Sequence, residues 1–566
     1  MSNIAGKAYG MNVLTPVPPS LSWVQRLIFM VARAVPSTLA GLLGLSLIHF
    51  ARWVIIKRDQ WPAGDQGKLN LKYDYVLFCS NFNGTWDQYI DAFSDGIPRG
   101  LDLFWYASFK YPHSIPITAF KDYIVHNQFD IQYYWNATPG SGQRDIKAAL
   151  RVLAELQLLN SKYAALDSTA FATEYKKSLA NIQNSLGSPG YAPIASLDTE
   201  RAEANRIKFL TTLKGSIPNR IVPRPAANAS APPPSSTTTF DGGHCFLTIL
   251  LPIKTQEIVP QGGAFSSHVH ALRDALSVIP TAQQSSPTQQ QAANSPFAKC
   301  EGTHFARLSV IDDVIFDGAP PVDAILASIK SLLASIKNRI WGTSSRPQDE
   351  PDQLPVPYLL FSVDSDAGNE EKLQAYLRDM WRTVGGDLMP VLTHCFDFDE
   401  SVGNADDFAA YICRHRVETT MPFNDYWIID PPLPDSTVAA ALAGVGAVLV
   451  IGAIAYRTLD WLGFSYWDLS LKVGAILLAL VLVLAAGLYI AYLVIMSRGR
   501  APFPAAPNSD LKSVLKALYL QRELISFATK NQGAAPDALH AAFGQFLGRV
   551  RVDDLSNPTQ SAGVIQ

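Results

Sequence analysis

Two uncharged apolar runs stand out from an otherwise mixed chain, Thr437 to Tyr456 (TVAAALAGVGAVLVIGAIAY) and Val473 to Met496 (VGAILLALVLVLAAGLYIAYLVIM). At 20 and 24 residues, each is long enough to cross a hydrocarbon layer of about 30 Å as a helix, so the pattern predicts a transmembrane helical hairpin over residues 437–496. The link between them carries Trp461, Tyr466 and Trp467, rings that settle at a membrane interface. Arg498 and Arg500 follow the second run, whereas the link holds only Arg457 and Lys472; this bias places both termini, and the domains they carry, in the cytosol. A third apolar stretch, Ser22 to Phe50, is interrupted by Arg26, Arg33 and Pro36. It reads as an amphipathic helix lying in the interface, with a domain helix after Pro36, and residues 1–48 form an apolar N-terminal segment.

The rest of the chain contains an internal repeat. His49-Phe50-Ala51-Arg52 followed by WVII recurs as His304-Phe305-Ala306-Arg307 followed by LSVI. Downstream of the first copy come Val76 to Ser80, an Asn83-Gly84 turn and a helix through Tyr89 to Phe93; downstream of the second come Leu359 to Ser362, a turn at Asp366 to Gly368 and a helix through Tyr376 to Met380. Around the second copy, HCFLTILLPIK from His244 reads as a strand, HVHALRDALSVIP from His268 as a helix, and LMPVLTHCF from Leu388 as a closing strand. That βαββαβ order predicts an α+β fold with tandem ferredoxin-like units over 49–215 and 244–430. The opening strand of the first unit is expected to be replaced or displaced by the N-terminal segment, and FDIQYYWNATP with the run after it supplies a further strand and helix. Pro-, Ser-, Ala- and Gln-rich linkers, the longest over 216–243, separate these parts, and two amphipathic helices are expected over 508–552.

Net charge is −3, with no clustered Lys/Arg excess, which argues against nucleic acid as a partner. Five widely spaced cysteines without a C-x-x-C pair read as free thiols in a reducing compartment. No phosphate loop, H-E-x-x-H or G-x-S-x-G motif is present.

The phrases IHFARW, Leu77-Phe78-x-Ser80-Asn81-x-Asn83-Gly84-x-Trp86 and Gly100-Leu101-Asp102-x-Phe104-Trp105 resemble those of uncharacterised bacterial membrane-associated proteins. Two such units with facing sheets also resemble the dimeric α+β barrel of dye-decolorising peroxidases and chlorite dismutases. This resemblance implies haem as a cofactor and an oxidoreductase activity, with Asp95 in Ser94-Asp95-Gly96 as a near match to that group's G-x-x-D-G phrase, although its first glycine is absent and the segment reads equally well as a helix stop.

His49, Arg52, Asp95, His304 and Arg307 are the candidate site residues. Strand alternation sets His49 with Ala51, Trp53 and Ile55, and Arg52 with Phe50, Val54 and Ile56, so histidine and arginine diverge within each motif. Either the histidines pack between sheet and helices and the arginines bind a carboxylate or carbonyl, or the pairs converge across a pseudo-twofold axis on haem or another anionic apolar ligand. His268 and His270 lie two apart on a helix and do not share a face for a metal. The leading expectation is a membrane-anchored, cytosol-facing protein that binds an apolar or lipid-like ligand, or a membrane-protein partner. The alternatives are a haem peroxidase-like enzyme and a scaffold of a membrane assembly.

Overall fold

The computed structural model describes residues 3–34, 46–187, 237–258, 265–280, 295–314, 352–428, 485 and 487–565. The first predicted span, most of the second and most of the linkers lie outside these residues. No helix among the described residues is long and apolar enough to cross a membrane.

The class is mixed α+β, with two antiparallel sheets. The first unit runs β1 (Ile4–Ala5), β2 (Ala8–Val17), α1 (Ser22–Ala34), β3 (Ile48–Ile56), β4 (Asp74–Asn83), α2 (Trp86–Gly96), α3 (Pro98–Phe104), α4 (Ile117–Asn127) and β5 (Gln128–Phe129). Its strands are ordered β5-β2-β4-β3. After β6 (Tyr133–Asn136), α5 (Gln143–Tyr163), α6 (Ser168–Ile182) and the short β7 (Phe240–Asp241), the second unit runs β8 (His244–Pro252), α7 (His268–Val278), β9 (Thr303–Ile311), β10 (Tyr358–Ser365), α8 (Glu370–Leu392), α9 (Ala405–Arg414) and β11 (Arg416–Val417). Its order, β11-β8-β10-β9, repeats that of the first.

Each unit then lends a strand to the other. β6, just after β5, pairs with β9 at the far edge of the second sheet, and β12 (Met421–Asn424), just after β11, pairs with β3 at the far edge of the first. These exchanges cover what would otherwise be open sheet edges. Beyond them lie α10 (residues 487–500), α11 (Leu511–Lys530), which packs on α5, and α12 (Pro536–Val550), which packs on α6.

Alternation explains the layering. Ala51, Trp53, Ile55, Val76 and Phe78 pack against the first unit's helices, and Leu247, Ile249, Leu308, Leu359 and Phe361 against the second's. The opposite faces meet each other: Val54, Ile56, Leu77, Leu250, Ile311 and Leu360 form one buried apolar cluster. Both faces of each sheet are therefore covered, and β3, β4, β8, β9 and β10 are buried along their whole length. All five cysteines are free thiols.

Three expectations change. The first unit keeps an opening strand, β2, ahead of the apolar segment; Pro16 inside it masks the strand signal. α1 is that unit's first crossover helix, with Phe29 and Met30 buried against β-sheet residues, and only its outer edge, including Trp23, is exposed. The closing strand predicted at Leu388 to Phe396 is instead the end of α8. Asn369 caps that helix by accepting from Lys372 N, and Leu373, Leu377, Met380, Val384, Leu388 and Val391 recur every three or four residues along its buried side. The true closing strand is β11.

Candidate functional site

The two HFAR motifs occupy equivalent places and both begin on a bulge. Ile48 pairs with Phe82 and Phe50 with Asn81, so His49 is an extra residue on β3. Thr303 pairs with Ser365 and Phe305 with Asp364, so His304 is the extra residue on β9. A bulge re-aims the side chain it inserts. His49 therefore does not follow Ala51 and Trp53 toward the helices; its ring lies 5.3 Å from Phe305 and its Nδ1 shares a 3.1 Å hydrogen bond with the Tyr426 hydroxyl.

The arginines cross between the sheets. Arg52 donates to Leu247 O, Thr248 Oγ1, Val363 O and the Asp364 carboxylate of the second unit. Arg307 donates to the matching positions of the first, Met11 O, Asn12 Oδ1, Ser80 O and Asn81 Oδ1. At the centre of this pseudo-twofold clasp Asn81 Nδ2 donates to Asp364 Oδ2 at 2.8 Å. The two central positions touch, so two carboxylates would repel there; an amide facing a carboxylate supplies a donor to an acceptor instead. The arginines are thus tied to carbonyls, amides and a carboxylate, and each is 1% exposed.

His304 belongs to a second cluster. Its Nε2 lies 2.8 Å from Asp366 Oδ1, and His244 Nδ1 lies 3.2 Å from the same oxygen without the alignment of a hydrogen bond, so neither His244 nitrogen is hydrogen-bonded. Ligand atoms of His244, His304 and Asp366 all stand within 4.8 Å of one another, an arrangement able to hold a metal ion. Asp366 Oδ2 accepts from Leu511 N at the start of α11. Burial alone would raise the Asp366 carboxyl, but His304 and His244 outweigh it and hold the group well below the usual carboxylate range. The Phe50 ring closes over the cluster, 5.0 Å from His304 and 5.2 Å from His244.

Burial, with the charges of His304 and Lys7 adding to it, pushes the His49 imidazole from 6.5 down to about 3. Between those values the unfolded chain binds a proton that the folded chain does not, so stability rises with pH across that window and is level above it. At about 1.36 kcal/mol per pH unit, roughly 3 kcal/mol is expected to be lost between pH 6.5 and pH 4 through this group. Urea unfolding of wild type and His49→Gln across that range checks it; parallel profiles would remove His49 as the source.

Asp95 is exposed in the last turn of α2, and no hydrogen bond or ion pair among the described residues joins it to the other four candidates. His268 Nδ1 meets His394 Nδ1 at 2.9 Å, a pairing across 126 residues that local spacing does not reveal.

On the outside of the first unit, α1, α3 and α10 each carry exposed apolar side chains. Gln25 of α1 donates to Phe104 O at 2.8 Å and accepts from Ala107 N at 3.1 Å, which sets the two segments side by side. Leu21, Trp23, Leu103 and Tyr106 are exposed there. Ile495 and Met496 of α10 pack on the same core cluster as Phe29 and Met30, while Leu488, Tyr489, Ile490 and Leu493 are exposed. Arg33 locks the exit of α10, donating to Gly499 O, Ala501 O and both carboxylate oxygens of Asp241.

Sequence reasoning named His304 but missed His244 and Asp366, reading one as a strand start and the other as a turn. The signal that finds them is the repeat compared position by position: the same ladder register sets Ala8 and Asn83 in the first unit where His244 and Asp366 stand in the second. No known family model matches the chain, and no curated protein matches it.

Proposed function

We propose that the chain is a membrane-anchored protein whose tandem ferredoxin-like units close on each other as in a dimeric α+β barrel. The hairpin 437–496 holds this body on the cytosolic side of a bilayer, where the α1–α3 surface binds lipid or another apolar partner at the membrane. The observation that carries the reading is α10. The uncharged run from Val473 leads into a helix whose Leu488 and Tyr489 are 64% and 62% exposed before Ile495 and Met496 dock on the body. Side chains of this kind belong in hydrocarbon rather than in water. Arg498 and Arg500 then stand where the chain leaves the membrane, as the positive-inside bias requires of a cytosolic exit.

Filling of the inter-sheet space by the arginine clasp and the apolar cluster around it favours binding at the outer surface over binding inside the barrel. A haem-dependent peroxidase-like activity that used Arg52 or Arg307 would require that arginine to give up its four bonds to the opposite unit. A scaffold of a membrane assembly would use the same outer face.

Membranes from expressing cells, washed in alkaline carbonate, test the anchor. The full chain is expected to stay in the membrane pellet and a chain lacking 437–496 to be released. Release of the full chain would defeat the proposal.

A further inference from the structure

We propose that His244, His304 and Asp366 form a site for a divalent transition-metal ion of the zinc class, built into the second unit alone. Three structural elements deliver the ligands: the first residue of β8, the bulge of β9, and the residue just after β10. Two imidazole nitrogens converge on one carboxylate oxygen at 2.8 and 3.2 Å. Ligand atoms around a four-coordinate zinc stand roughly 3.3 Å apart, as follows from metal–ligand lengths of about 2.0 Å, so the two separations from Asp366 already suit a cation, and the imidazole nitrogens, within 4.8 Å of each other, would draw together on it.

The state of His244 is the second observation. It is 1% exposed, and neither ring nitrogen has a hydrogen-bond partner. Buried polar atoms are normally hydrogen-bonded, and a metal bond supplies the partner that these nitrogens lack. The surroundings resemble those that hold a ligand in place. Asp366 is oriented through its other oxygen by Leu511 N at 2.9 Å, its own N donates to Gly302 O at 3.0 Å, and the Phe50 ring covers both imidazoles.

The repeat provides an internal comparison. The equivalent positions of the first unit are Ala8, His49 and Asn83. There the bulge histidine turns to Tyr426, and Asn83 accepts from Gln143 N at 3.2 Å to start α5. Histidine and aspartate therefore replace alanine and asparagine together, at two positions that face each other across one ladder. With three protein ligands, the fourth position falls to solvent, and the preference of an N2O set is for zinc or cobalt over the all-oxygen cations.

The test uses the purified full chain in detergent, stripped with EDTA and titrated with Co2+. About one Co2+ per chain is expected, with the intense visible bands of a four-coordinate site; Zn2+ should displace it and raise the unfolding temperature. Asp366→Asn, which keeps an acceptor for Leu511 N–H, and His244→Gln are each expected to weaken binding by at least about 100-fold, whereas His268→Gln leaves it unchanged. Absence of cobalt bands in the wild type, or equal affinity in folded Asp366→Asn, overturns the site. Should the variants fail to fold, X-ray absorption of the zinc-loaded wild type decides: two imidazoles and an oxygen uphold the site, and a shell with sulfur or without imidazole overturns it.

Discussion

Asp364→Asn is expected to destabilise the folded chain by about 3–5 kcal/mol, the usual loss when one partner of a buried ion pair is removed. The substitution keeps the shape of the side chain and deletes the one carboxylate in the clasp, so Arg52 and Arg307 remain buried between the sheets without a counter-charge. The single change Asn81→Asp is also destabilising, because it sets two carboxylates where a 2.8 Å hydrogen bond now stands. The pseudo-twofold relation makes a sharper prediction. The double swap Asn81→Asp with Asp364→Asn moves the carboxylate from the Arg52 side to the Arg307 side and restores a donor facing an acceptor. It should recover more than half of the loss seen in Asp364→Asn. Denaturant unfolding of the four proteins measures this coupling, and additive losses in the double variant would show that the clasp does not act as a symmetric unit.

Arg33→Met carries the second large effect, again about 3–5 kcal/mol. Arg33 is buried, pairs with both oxygens of Asp241, and ties down Gly499 O and Ala501 O where α10 meets the body; its guanidinium also lies 4.7 Å from the Phe503 ring centre. Removing it leaves the Asp241 carboxylate buried, with Phe503 N still donating to it. Amide exchange over 499–503 should accelerate along with the loss of stability. Arg33→Lys is expected to rescue only part of it, because one ammonium cannot reproduce a planar fork that serves four acceptors. Full recovery with lysine would mean that charge alone, and not the fork, holds α10 to the body.

The features legible in the sequence were local ones. HFAR occurs twice with strand and helix signals in the same order, and both units follow it; the helices predicted over 508–552 stand as α11 and α12. The parts that were not legible depend on partners far away in the chain. A bulge is a property of two strands, and nothing in IHFARWVII marks His49 as the extra residue. β11 spans Arg416–Val417 alone, too short for any period, and is defined by its pairing with β8. LMPVLTHCF is apolar enough for either state, and the spacing that makes it helical starts at Leu373. The inter-sheet clasp joins residues 195 to 312 positions apart, so no window of sequence contains it.

A spin label reads directly whether the proposed α1–α3 surface rests on a bilayer. A nitroxide is attached through Leu103→Cys or, as the control, Val278→Cys on the second unit; both positions are exposed in the isolated body. In lipid nanodiscs the label at 103 should be relaxed by oxygen dissolved in the hydrocarbon and shielded from a water-soluble nickel chelate, while the label at 278 responds in the opposite sense. Equal accessibility of both labels to the aqueous chelate would show that the α1–α3 surface does not rest on the bilayer.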